Sequence, residues 1–280
     1  MNESIEKTPI NTCFEVEPSN RTTFKNCKNN FKKFLAFTLA ETLIVMGIIG
    51  IVSALTLPNL NSATGEKERV AKVKKIYQNL NDAFGRAEAV YGSIDGWKST
   101  MTTLDLARQG YFERSTEFMK LSKTCGPNVA GCFASNTFNS FRSGYTVTDN
   151  VMPWYKGVLA DGTSFTINPG AYDNCNYSIT GISNICATIY VDIDGPTKGK
   201  GAHKFGQSVF IFLLTTDNGV VPIGISGSST KDTDLASCFK YGNFCASWVI
   251  ENDNMDYLKA DVNGKCPNGT VLSWSNTSCK

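Results

Sequence analysis

Three regimes of hydrophobic patterning divide this chain of 280 residues. From Phe34 to Leu60 it is mostly apolar and holds one charged residue, Glu41, and its centre reads LIVMGIIGIVSALTL. A helix of that length spans roughly 40 Å, enough to cross the hydrocarbon core of a bilayer. Past Pro58 the pattern becomes amphipathic. Val70, Val73, Tyr77, Leu80, Phe84, Ala87 and Tyr91 recur at steps of three and four and draw one apolar stripe along a helix. Such a stripe reads as a seam against a protein core, with Glu66, Lys67, Lys72, Lys74 and Lys75 on the other faces. A continuous helix over 37–91 would reach roughly 80 Å. Pro58 removes one of its backbone hydrogen bonds, and Gly47 and Gly50 weaken its apolar half.

Residues 92 to about 135 predict short helices and turns, with helices over Thr103–Arg108 and Phe112–Lys123. From Tyr145 the pattern is that of strands. Lys156–Ala160 and Thr163–Asn168 flank Asp161-Gly162, a two-residue hairpin signal. Cys186–Ile193 and Ser208–Thr215 read as further strands, and Asp217-Asn218-Gly219 turns the latter into Val220–Ile223. The predicted fold is α+β: a long N-terminal helix, half membrane-type and half amphipathic, packed on a globular head with an antiparallel sheet. There is no internal repeat and no low-complexity segment.

Charge excludes one class of partner. The first 36 residues carry six Lys/Arg and four Asp/Glu, which leaves 21 of each in the body. A neutral body lacks the basic excess of a nucleic-acid-binding protein. Cysteine usage places that body outside the cytoplasm. Cys13 and Cys27 precede the apolar segment, whereas Cys125, Cys132, Cys175, Cys186, Cys238, Cys245, Cys266 and Cys279 follow it. Eight is an even number, and none of the gaps is as tight as a zinc site requires. Short gaps containing Gly126-Pro127, Gly181, Gly242 and Pro267 favour four local disulfides: Cys125–Cys132, Cys175–Cys186, Cys238–Cys245 and Cys266–Cys279. Cys13 and Cys27 are expected to stay reduced on the cytoplasmic side.

The flanks orient the apolar segment. Arg21, Lys25, Lys28, Lys32 and Lys33 precede it, which puts the amino end in the cytoplasm and the body across the membrane. A cleaved secretory signal would end in a small-residue site, and the stretch after Leu57 offers a poor one. That reading and a plain signal anchor both leave Glu41 unexplained, since a carboxylate at the centre of a membrane helix costs about 2.5–3.5 kcal/mol, and the basic flank speaks against a buried core helix.

The run KKFLAFTLAETLI over 32–44 resembles the processing site of type IV prepilins and type II secretion pseudopilins. In that family a basic leader ends in a small residue, the mature chain begins with phenylalanine, and glutamate stands at its fifth position. Ala36, in place of the usual glycine, Phe37 and Glu41 occupy those places, and Pro58 matches a proline of the family's first helix. The resemblance implies a cytoplasmic leader over 1–36, a long helix over 37–91 whose part 37–60 serves membrane insertion and assembly, and an extracytoplasmic disulfide-bonded head over 92–280. It further implies a single-pass inner-membrane protein with its head in the periplasm or on the cell surface. The implied partners are a prepilin peptidase that also methylates the new amine, other pilin-like subunits, and a membrane assembly platform with its cytoplasmic ATPase. Glu41 would then pair with the Phe37 amine of a neighbouring subunit.

Chemistry in the body is sparse. The single histidine, His203, lies in a Gly/Lys-rich stretch and reads as a solvated loop residue, with no paired ligand and no G-x-S-x-G elbow. Some pseudopilin heads bind calcium, and Asp192 and Asp194 are the candidates for such an ion. The plainer reading is a strand that ends in an Asp-Gly turn, with no ion held there. The expected role is structural, not enzymatic. The alternative is a membrane-anchored extracytoplasmic adhesin or ligand-binding domain that does not polymerise.

Overall fold

The computed structural model describes residues 38–134, 152–170, 175–179, 181–196 and 203–280, with only the backbone of 53–64. By its internal contacts the chain divides into two units, one up to Thr56 and one from Leu57 to Lys280. The first helix, α1, runs Leu39–Tyr91, and its backbone is helical at Pro58.

In the second unit the predicted stripe is the packing seam. Val70, Val73, Ile76, Leu80, Ala83, Phe84 and Ala87 are buried, and Tyr77 packs against them from a half-buried position. Tyr91 departs from the expected stripe and is 42% exposed. Its hydroxyl donates to Glu117, and the Arg114 guanidinium lies 5.2 Å from its ring centre and 5.2 Å from that of Trp97. The phenol at the end of the seam is thus drawn to charge rather than to the core.

Helix α2, Leu104–Thr116, opens on Thr103, whose side-chain oxygen accepts from the Leu106 amide. The helix predicted over Phe112–Lys123 ends early. Residues 121–125 instead form strand β1, Leu121–Cys125. Local propensity is overridden there by pairing with strand β2, Lys156–Leu159, far along the chain. β3 is Ser164–Asn168, β4 Tyr177–Ile179, β5 Ile182–Asp192, β6 Val209–Thr215 and β7 Gly219–Pro222. Among the described residues the sheet is antiparallel with seven strands in the order β1-β2-β3-β5-β6-β7, and β4 pairs with β5 off that path.

Strand alternation gives the sheet two faces. Phe165 pairs with Val191 and Val191 with Phe210, while Ile167 pairs with Ile189 and Ile189 with Phe212. This apolar face meets the helices: Phe212 stacks on Tyr77 of α1 with ring centres 5.8 Å apart, and Phe165 stacks on Phe112 of α2 at 5.8 Å. Gly157 makes the second contact possible, because a Cβ there would lie 2.7 Å from the Phe165 ring and 3.3 Å from that of Phe112.

Two helices absent from the expectations complete the second unit: α3, Lys231–Tyr241, and α4, Ala246–Asn252. Gly242 ends α3 in the left-handed region at φ 82°, and its amide donates to the Cys238 carbonyl. Trp248 of α4 is fully buried, with the rings of Phe239, Tyr257 and Trp274 centred 6.3, 6.5 and 5.5 Å away. This lobe is fastened to α1 through Glu66, which accepts from the Met255 amide and pairs with Lys259.

Candidate functional site

The start of α1 is built from Thr38 and Glu41. Glu41 Oε2 accepts both the Thr38 amide and the Thr38 hydroxyl at 2.9 Å, and the Glu41 amide donates back to the Thr38 hydroxyl oxygen at 3.3 Å. This is a reciprocal capping box, in which both ends of a T-x-x-E tetrad satisfy donors that the first helical turn leaves open. The signal is legible as Thr38-Leu39-Ala40-Glu41, and sequence reasoning centred on the carboxylate passed over its threonine.

Behind the box, every residue from Leu39 to Val52 is exposed. Leu39, Val45 and Ile51 are 80%, 53% and 65% exposed and lie on three different sides of the helix. This stretch therefore has no polar face to give to water. Among the described residues no helix is long and apolar enough to cross a membrane. The described apolar run is shorter than the about 20 residues a span requires. Ala36, Phe37, Cys13 and Cys27 lie outside the described residues, and the side chain of Pro58 is likewise not described.

In the second unit the eight cysteines pair locally as Cys125–Cys132, Cys175–Cys186, Cys238–Cys245 and Cys266–Cys279. The first of these closes a loop over the sheet face opposite the helices. That face is polar and yet buried: Lys156, Ser164, Thr166 and Asp192 are all inaccessible. Each has a partner. The Lys156 ammonium donates to the Val129 carbonyl at 2.6 Å, Ser164 to the Cys132 carbonyl, and Thr166 to the Tyr155 carbonyl at 2.7 Å. Sequence reasoning singled out none of these three.

His203 corrects the expectation of a solvated loop residue. It is buried, and its Nδ1 lies 2.6 Å from Asp192 Oδ2. Asp192 Oδ1 accepts the Asp194 amide at 3.1 Å. Burial pushes the Asp192 carboxyl above its ordinary range, against the opposing pull of His203 and the Asp194 amide. Asp194 turns the other way and faces Arg69 of α1 at 3.9 Å. The two carboxylates are thus engaged separately, one inward and one outward. Among the described residues, no group of three or more His, Cys, Asp or Glu side chains could hold a metal ion.

A groove of about 440 Å³ opens between α1, the turn before β1 and the β2–β3 hairpin. Phe118, Met119 and Leu159 supply its apolar surface, and Lys75, Lys120 and Asp161 its charge. Lys75 pairs with Asp161 at 2.8 Å, and Asp82 at the rim pairs with Arg86.

In comparisons with known proteins, the chain matches no family model, no curated protein and no solved structure.

Proposed function

We propose that this chain is a pilin-like or pseudopilin-like structural subunit of a type IV-class filament, in a secretion or pilus system. The observation that carries the reading is the start of α1: a capped helix, apolar on every side, whose one carboxylate stands in its first turn. A helix of that kind is satisfied by lipid or by other apolar helices, not by water. The residues before it, Lys32-Lys33-Phe34-Leu35-Ala36-Phe37, supply a basic flank and a cut site for a prepilin peptidase. Cleavage between Ala36 and Phe37 creates a free amine, which the peptidase methylates. In the filament, Glu41 of one subunit meets that amine on its neighbour, so two charges that would each be costly in an apolar bundle neutralise one another. The head, over 92–280, stays on the extracytoplasmic side with its four disulfides. An assembly platform in the inner membrane and its ATPase drive polymerisation.

Mass-spectrometric terminal analysis of the protein from membranes of expressing cells tests this. The expected amino terminus is N-methylated Phe37. An intact leader through Ala36 would instead assign the chain to the non-polymerising, membrane-anchored binding domains.

A further inference from the structure

The sheet has two edges, and they are treated differently. At the β7 edge the Val220 amide donates to Asn81 Oδ1 of α1, and Val220, Val221 and Pro222 are buried. At the other edge, Ser122, Lys123 and Thr124 of β1 are exposed, and no strand among the described residues pairs with their outer side. A strand edge left open presents unpaired amides and carbonyls that another extended chain can complete. We infer that the β1 edge and the groove at its start form a docking surface for an extended, acidic segment of a partner polypeptide, added as an eighth strand.

Three observations select that occupant. First, the open edge is cationic. Lys123 lies on it, and Lys120 precedes it with no charged partner among the described residues. The nearby carboxylates of Asp161 and Asp82 are already neutralised by Lys75 and Arg86. Second, a second copy of β1 is a poor occupant. Antiparallel pairing of Leu121-Ser122-Lys123-Thr124-Cys125 with itself about its centre sets Lys123 against Lys123, and like charges directly opposite are destabilising. Third, the groove beside Phe118, Met119 and Leu159 gives one end of the added strand an apolar pocket. Main-chain bonds then supply affinity, and the pocket and lysines supply selectivity. The far end of β1 is pinned by the Cys125–Cys132 disulfide and by the Lys123 ammonium, which donates to the Gly131 carbonyl at 2.8 Å. The edge is therefore ordered before it is filled. This inference does not depend on how the amino terminus is processed.

The test uses the full chain in detergent and a fluorescent peptide that alternates valine with glutamate. Two companion peptides carry lysine for glutamate, or N-methyl groups on alternate backbone amides. The glutamate peptide is expected to bind and to slow hydrogen exchange within 121–125. The lysine peptide should bind at least about tenfold more weakly, a difference of about 1.4 kcal/mol. The N-methylated peptide should fail, because its side chains are intact but its ladder is not. The double variant Lys120→Glu, Lys123→Glu should prefer the lysine peptide. Failure of the glutamate peptide to bind, equal binding of the N-methylated form, or unchanged exchange over 121–125 would overturn the inference. Slowed exchange there on raising the protein concentration alone would overturn it in favour of a second copy.

Discussion

Replacing Glu41 by glutamine and, separately, by valine divides two roles that this carboxylate can play. In the single chain, Glu41 Oε2 accepts the amide and the hydroxyl of Thr38, and the Glu41 amide donates to that hydroxyl oxygen. Glutamine keeps an acceptor at the same reach and preserves a capping box, whereas valine removes it. Loss of a cap costs about 1 kcal/mol, which is about fivefold in a binding equilibrium. The proposed pairing with the Phe37 amine of a neighbour is a larger quantity. Removing one partner of a buried ion pair costs about 3–5 kcal/mol, more than about a hundredfold. Valine and glutamine should therefore both reduce incorporation into filaments by a hundredfold or more, with valine only a few-fold worse. Thr38→Ala, which loses part of the cap and keeps the charge, should stay within about fivefold of the parent.

The assay is co-expression of each variant with wild-type partner subunits, followed by quantitation in membrane and sheared-filament fractions. Insertion, cleavage after Ala36 and formation of the four head disulfides should be unchanged, because none of them uses the Glu41 charge. If Glu41→Gln enters filaments normally while Glu41→Val does not, the carboxylate is a helix cap and no intersubunit pair exists. If both enter normally, Glu41 has no part in assembly, and the anchored binding domain becomes the better reading of the chain.

Two further outcomes concern the head. Gly157→Ala should destabilise it by about 1–3 kcal/mol, since the added methyl meets the stacked Phe165 and Phe112 rings and the interface must open; thermal unfolding of the disulfide-intact protein measures this. Asp256→Asn should destabilise the C-terminal lobe at neutral pH by about 1–3 kcal/mol. Burial raises the Asp256 carboxyl, but Lys259, the Cys279 amide and the Ser278 hydroxyl together outweigh it and hold the group below the ordinary carboxylate range. Its contribution is therefore complete above the unfolded value of about 3.9 and is lost as pH falls through the lower folded value. Urea unfolding at pH 7 and in stronger acid should show the gap between parent and variant close on acidification, and a gap independent of pH would refute the assignment.

The parts of the fold that local periodicity encodes were legible in the sequence. The α1 seam from Val70 to Ala87, the hairpin at Asp161-Gly162 and the strand ending at Asp192 all follow from spacing and turn chemistry. The four disulfide pairs agree with the short gaps between cysteines. Where tertiary contacts decide, the pattern misled. The start of β1, residues 121–123, reads as the end of a helix because its strand partner, β2, lies far along the sequence. The helices around Trp248 are short: α3 draws a brief stripe from Leu235, Cys238 and Phe239 that sequence reasoning passed over, and α4, Ala246–Asn252, is too short for periodicity to show.

The buried polar face shows most clearly why part of the site was not readable. Alternation along β2, β3 and β5 puts Lys156, Ser164, Thr166 and Asp192 opposite the apolar face, and a polar strand face reads as one turned to water. It becomes interior here because the loop closed by Cys125–Cys132 brings the Val129 and Cys132 carbonyls over it, while His203 closes over Asp192. Each buried donor is then paired, which removes the cost that would otherwise keep such a face solvated. The same loop fixes one end of β1. The disulfide thus holds β1, whose outer side no strand among the described residues pairs, at the edge of a sheet whose polar face it also helps to cover. A lysine in a strand is ordinarily a sign of solvent. Lys156 and Lys123 sit one strand apart, and only the loop that caps the first and holds the second decides which of them faces a partner.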